Sequence, residues 1–166
     1  MRGWLVGILS VTALLAALLS PTVPRASAGD TPIGRVGDTL RVTNGSIVAD
    51  VTVVNVLPSD VPPGFGYPPR WPRQEVWRAQ ITVTAISSPA PFSMGPKFTF
   101  RGVTQTGDAY AARNTDAPDA LQYALLNAPK GATVSGGVYW DVYRDLVSNV
   151  VLMDPKTGYR LAQWNL

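Results

Sequence analysis

"VWRAQITVTAI", residues 76–86, decides the fold class. Trp77, Ala79, Ile81, Val83 and Ala85 share one face of an extended chain, and Arg78, Gln80, Thr82 and Thr84 share the other. Apolar and polar side chains alternate with a period of two, as on a strand with one buried and one wet face. Wound as a helix, the same residues would scatter around the whole circumference.

The pattern extends in both directions from there. In "KFTFRGV", residues 97–103, Phe98 and Phe100 point inward while Lys97, Thr99 and Arg101 point outward. "VYWDVY" (138–143), "NVVLM" (149–153) and the closing "YRLAQWNL" (159–166) are further strands, the last entered through a turn that begins at Asp154-Pro155. Towards the amino terminus, Leu40 and Val42 alternate with Arg41 and Thr43, and Asn44-Gly45 supplies a tight hairpin turn. Asn44-Gly45-Ser46 also fits the N-glycosylation pattern, but the turn explains it fully. Ile47, Ala49, Val51 and Val53 lie on one face of the next strand. Its phase changes at Val53-Val54, which predicts a bulge there. Residues 118–131 hold the one helix candidate, at most a short helix or a loop turn: Leu121, Leu125 and Ala128 fit helical spacing, Asp119 is a candidate cap, and Pro129 with Gly131 stops it. Short strands separated by turn signals predict an all-β, two-layer antiparallel sandwich of about seven to eight strands.

Residues 1–28 read as an address. Arg2 precedes an uncharged apolar run from Trp4 to Leu19, Pro21 and Pro24 break it, and Ala26-Ser27-Ala28 provides a small-x-small cleavage pattern. That order is expected of a secretory signal peptide, and the run is shorter than the about twenty residues of a spanning helix. An uncleaved amino-terminal anchor is the alternative. The expected mature chain, residues 29–166, is a single secreted domain with no membrane span. Arg2 and Arg25 fall in the leader and no acid does, so the mature chain carries 12 basic and 11 acidic side chains. So nearly neutral a chain is a poor nucleic-acid binder. With no cysteine there is no disulfide, and the core alone must hold the domain.

The absence of histidine and cysteine excludes Ser-His-Asp and Cys-His nucleophilic systems, imidazole bases, thiolate or imidazole zinc sites and thiol redox chemistry. Carboxylates remain. Asp141 and Asp145 are the pair to weigh, yet on a continued strand they would stand roughly 13 Å apart, wide for either glycosidase geometry. Asp141 on a solvent face and Asp145 in a turn is the simpler reading, and Asp154 and Glu75 read as turn and rim residues. No catalytic residue, metal ligand or cofactor is expected. Trp77 and Trp140 read as core. Tyr139 and Tyr143 lie opposite Trp140, either as cross-strand packing or, on a solvated face, as a secondary patch for a partner.

"LPSDVPPGFGYPPRWPRQEVW", residues 57–77, has six prolines. It cannot be a linker, because residues 29–56 are too few to fold alone. It fits a docking peptide poorly, being tied to strands at both ends. A long inter-strand loop remains, stiffened because each proline fixes its own φ. Tyr67, Arg70, Trp71 and Arg73 are the candidate partner-binding residues, since Tyr, Trp and Arg dominate protein interfaces. The competing reading has the loop fold back and plug the end of the sandwich.

The chain resembles a family of small secreted mycobacterial antigens, the immunogenic extracellular proteins with the MPT or MPB prefix. The resemblance rests on Trp77, Ala79, Thr82, Val83, Ala85 and Ile86, on Gly37, Leu40 and Thr43 near the start, and on Pro63-Gly64 and Tyr67-Pro68. Tyr139, Asp141 and Val142, then Leu161 and Trp164, continue it. It implies an immunoglobulin-like β-sandwich, a cleaved leader and an extracellular, antigenic protein with no catalytic residues. The Pro-rich stretch departs from that pattern in its length and in carrying Arg70, Trp71 and Arg73. The expected function is therefore a non-catalytic module that binds a protein or glycan at the cell envelope or on a host surface. A carboxylate-dependent hydrolase acting on envelope glycan, using Asp141 and Asp145, is the alternative.

Overall fold

The period-two segments form strands. In the computed structural model, which describes residues 31–60, 75–89, 93–113, 117–126 and 128–166, the strands are β1 (Ile33–Arg35), β2 (Thr39–Asn44), β3 (Ile47–Ser59), β4 (Glu75–Ser87), β5 (Thr99–Thr104), β6 (Ala109–Tyr110), β7 (Thr133–Val142), β8 (Val147–Met153) and β9 (Arg160–Asn165). A 3-10 turn (Gly95–Lys97) and a six-residue helix α1 (Leu121–Leu126) complete the described elements. One sheet has the order β1-β9-β8-β5-β6 and the other β2-β3-β4-β7. Among the described strands all pairings are antiparallel except that of β1 with β9, and an isolated parallel bridge joins Ala120 to Gly137. Among the described residues no helix is long and apolar enough to cross a membrane.

The bulge falls where the change of phase predicts it. The β3–β4 register runs Val53↔Ile81 and then Asn55↔Gln80, so Val54 is the unpaired residue and lies exposed. The extra residue turns Val56 back toward the core, opposite Ala79. The hairpin is displaced by one residue from the expected turn. Asn44 still pairs with Ile47, so Gly45 and Ser46 make the loop, with Gly45 at φ 62°. The Asn44 side chain instead donates to the Lys97 carbonyl at 3.0 Å.

The interior is Val-, Ile- and aromatic-rich, with Trp140 and Trp164 fully buried. A buried indole N–H must find an acceptor. Trp140 Nε1 donates to the Phe100 carbonyl at 3.1 Å, and Trp164 Nε1 to the Asp38 carbonyl at 2.9 Å. Phe98 and Phe100 are buried as expected. Trp77 is not fully buried: it sits near the start of β4, packs on the margin of the core and donates its indole N–H to Glu75 at 3.3 Å. At the end of a sheet fewer neighbours are available to cover so large a side chain.

The strand expected at 138–143 starts earlier, at Thr133, and takes in Gly136 and Gly137. These glycines serve close approach. A Cβ on Gly136 would lie 2.7 Å from the Asp119 carbonyl oxygen, and one on Gly137 would lie 2.7 Å from Arg78 Nε. The helix is the short one expected within residues 118–131, and the Asp119 carboxylate is engaged across the outer face of β4 and β7 rather than at the helix start.

Candidate functional site

Both ends of the Pro-rich stretch are strand. Leu57, Pro58 and Ser59 pair with Arg78, Trp77 and Val76, so only residues 60–74 bridge β3 and β4. Pro58 is tolerated because β2 ends its pairing at Thr52, which leaves β3 one neighbour there. Tyr67, Arg70, Trp71 and Arg73 lie outside the described residues.

At the same end of that sheet Glu75 pairs with Val142, and the chain then turns through residues 143–146 into β8. Tyr143 is 42% exposed and Leu146 61%, with Arg144 exposed between them. Local hydrogen bonds fix this turn. Tyr110 is buried beneath it, donating its hydroxyl to the Asp145 carbonyl at 2.8 Å and accepting from the Arg144 N–H at 3.2 Å. The Tyr110 and Tyr143 rings meet edge to face at 5.4 Å. The Arg144 guanidinium lies 5.8 Å from the Tyr143 ring centre and pairs with Asp108 at 3.0 Å. Thr106 donates to Asp145 Oδ2 at 3.0 Å, so the β5–β6 turn braces the same structure. Burial pushes the Tyr110 phenol above its ordinary value, which keeps the hydroxyl protonated as the donor this brace needs.

A second polar cluster covers the outer face of β4 and β7. Arg113 and the segment 117–120 before α1 bond the outer edge of β7: the Arg113 N–H bonds the Tyr139 carbonyl at 3.0 Å, and the Gly137 N–H bonds the Asp119 carbonyl at 2.7 Å. Under this segment the Tyr139 hydroxyl donates to Asp119 Oδ1 at 2.7 Å and accepts from Arg78 Nε at 3.2 Å, while Arg78 also ion-pairs with Asp119. Burial raises the Tyr139 phenol, and the Asp119 carboxylate adds to the shift. Burial would also raise Asp119, but its hydrogen bonds from Tyr139 and Arg78 outweigh that and hold it below the usual carboxylate range. Tyr139 is 3% exposed, so of the two tyrosines grouped by the strand pattern only Tyr143 reaches solvent.

Asp141 and Asp145 have different partners. Asp141 is held by Arg113 Nη1 at 2.9 Å, on the outer face, and Asp145 by Thr106 and Tyr110 beneath the turn. Among the described residues no group of three or more His, Cys, Asp or Glu side chains converges as a metal site would require. Asp154 and Glu75 occupy the turn and the rim. No local pattern in the sequence marks the Tyr110 brace, whose partners lie some 35 residues away in the chain.

A family model described as a domain of unknown function, DUF1942, matches residues 31–160. No curated protein matches the chain. Among solved structures it is similar to MPT63, a secreted protein from Mycobacterium tuberculosis, with 22% identity over 84% of this chain and 100% of that one and a TM-score of 0.64. That likeness shows the fold. A candidate lipoprotein from Staphylococcus aureus aligns at 10% identity over 78% of this chain and 92% of its own, with a TM-score of 0.46.

Proposed function

We propose that this chain, which belongs to the DUF1942 family, is a secreted, non-catalytic immunoglobulin-like module that binds a protein or glycan with one end of its sandwich. The observation that carries this reading is the Tyr143–Leu146 turn, which exposes Tyr143, Arg144 and Leu146 on a braced base beside Glu75, the first residue of β4. Exposed aromatic and arginine side chains on loops held by a rigid scaffold are the usual material of recognition surfaces.

The immunoglobulin-like assignment draws support from the parallel pairing of β1 with β9 and from the two-sheet order, with β8 and β9 in one sheet and β4 and β7 in the other. Secretion draws support from the leader pattern in residues 1–28 and from the description of MPT63 as a secreted protein. A role as an extracellular antigen rests on the resemblance to the mycobacterial family.

Replacing residues 62–73 by a Gly-Ser loop tests the loop's part in this. Binding to immobilised envelope fraction or host-cell surface is expected to be lost, with the melting temperature nearly unchanged. Unaltered binding contradicts a recognition role for the loop, and a large fall in melting temperature makes it a packing plug.

A further inference from the structure

The two sheets carry their charge differently. On the side of β2, β3, β4 and β7, Arg41 pairs with Asp50 at 2.7 Å, Arg78 with Asp119, and Arg113 with Asp141 at 2.9 Å. The outer face of β1, β9, β8 and β5 holds arginines without acids. Phe100, Val150, Leu152, Ala162 and Trp164 are buried inward, so their neighbours along each strand point out. Gly34 also faces inward, since a Cβ there would meet Leu40, and Ile33 and Arg35 therefore face out. One row across this face runs Arg101, Val151, Gln163, Ile33, and the next runs Val103, Asn149, Asn165, Arg35. Arg160 pairs with Met153 beyond the first row, and its Nη1 donates to Gln163 Oε1 at 2.8 Å, which brings its guanidinium onto the same face. Arg35, Arg101 and Arg160 are exposed, and none of them has an ion-pair partner among the described residues. Asp38, the acid nearest to Arg35 in the chain, accepts from its backbone N–H at 2.7 Å. A nearly neutral domain thus presents one face of unneutralised positive charge.

We propose that this face binds an extended acidic polysaccharide, its carboxylates accepting from Arg35, Arg101 and Arg160 and its hydroxyls bonding the amides between them. The guanidinium fork matches a carboxylate in shape and charge. The amides stand in line: Gln163, which accepts from Arg160, donates through Nε2 to Asn165 Oδ1 at 2.8 Å, and such groups offer both donors and acceptors to hydroxyls. The rows cross four strands, about 14 Å, so a ligand that reaches Arg101 and Arg35 together must be extended. The apolar middle is recessed, with Val151 only 7% exposed; Ile33 on the edge strand stands clear, and one such side chain is too little to anchor the face in a bilayer. No residue in these rows is aromatic, whereas protein-binding surfaces draw on Tyr and Trp. The face shares no residue with the Tyr143–Leu146 turn, and either proposal can fail without the other.

The test uses the full-length chain, with a polygalacturonate oligomer as probe and a dextran oligomer as its uncharged counterpart, both followed by titration calorimetry. Polygalacturonate is expected to bind, dextran not to, and added salt to weaken the binding, because the charges are exposed. Arg101→Gln with Arg160→Gln should lower the affinity by about tenfold or more, since charge-assisted hydrogen bonds are lost. Arg41→Gln with Lys130→Gln removes the same charge from elsewhere on the surface and should leave the affinity nearly unchanged. All four side chains are exposed, so both variants keep the melting temperature of the unaltered chain. Poly-glutamate and phosphatidylglycerol vesicles stand in for an acidic protein and an anionic membrane, and both should bind more weakly than polygalacturonate. No binding of polygalacturonate by the unaltered chain, equal losses in the two double variants, or binding of poly-glutamate or the vesicles as tight as that of polygalacturonate would each overturn the proposal.

Discussion

Trp140 on β7 donates its indole N–H to the carbonyl of Phe100 on β5 at 3.1 Å, a hydrogen bond from one sheet to the other inside the core. Room for the indole comes from Gly102, where a Cβ would stand 3.1 Å from Trp140 Cδ2 and 2.9 Å from Val147 Cγ2. With no disulfide available, this contact and the packing around it must do what a covalent staple does in other small secreted domains.

Trp140→Phe removes the donor and part of the ring. It is expected to destabilise the domain by about 2–4 kcal/mol. Gly102→Ala should cost about 1–3 kcal/mol through overpacking against the same indole. Urea denaturation checks both, as a lower midpoint at an unchanged slope. A loss under about 0.5 kcal/mol for either would mean that the indole is not positioned as described.

The Arg78–Asp119–Tyr139 cluster contributes to the dependence of stability on pH at both ends of the scale. Asp119 is held below its ordinary value in the folded chain, so its contribution is present above about pH 4 and is lost as the pH falls through the folded value. Tyr139 is held above its ordinary value, so its contribution is complete below about pH 10 and is lost as the pH rises through the folded value. Asp119→Asn should flatten the acid limb of a stability profile and Tyr139→Phe the alkaline limb. Unchanged limbs in these variants would show that the cluster does not form.

Asp154 is 5% exposed at the entry to the β8–β9 turn, where its Oδ1 accepts from the Lys156 N–H at 2.8 Å. That bond, made to the ionised form, holds the carboxyl below its usual range. Asp154→Ala is expected to lower the melting temperature, and Asp154→Asn to lower it less, because the amide oxygen can still accept. Equal losses in the two variants would rule out the hydrogen bond as the cause.

What could be read from the sequence follows physical range. The β4 alternation and the bulge at Val54 depend on neighbours in the chain, and both lie where the pattern puts them. The strands β1 and β6 are three and two residues long, too short to show a period. Gly136 and Gly137 look like turn residues because nothing nearby in sequence reveals that the Asp119 carbonyl and the Arg78 side chain approach them. The exposure of Tyr143 beside a buried Tyr139 likewise depends on a segment that packs from outside the strand. Tyr143 could be named in advance as a candidate, but Tyr110, Arg144 and Leu146, which complete its surroundings, could not.

The central claim is that the end carrying Tyr143 and Arg144 is the one that binds. Its most direct test compares the unaltered chain with a Tyr143→Ala, Arg144→Ala double variant for binding to immobilised envelope fraction or host-cell surface. Tyr159→Ala, a 74% exposed aromatic at the opposite end of β8, serves as control. The account predicts that the double variant loses affinity by about tenfold or more at an unchanged melting temperature, while Tyr159→Ala binds as the unaltered chain does. Equal binding by all three chains, or a loss confined to Tyr159→Ala, would contradict it.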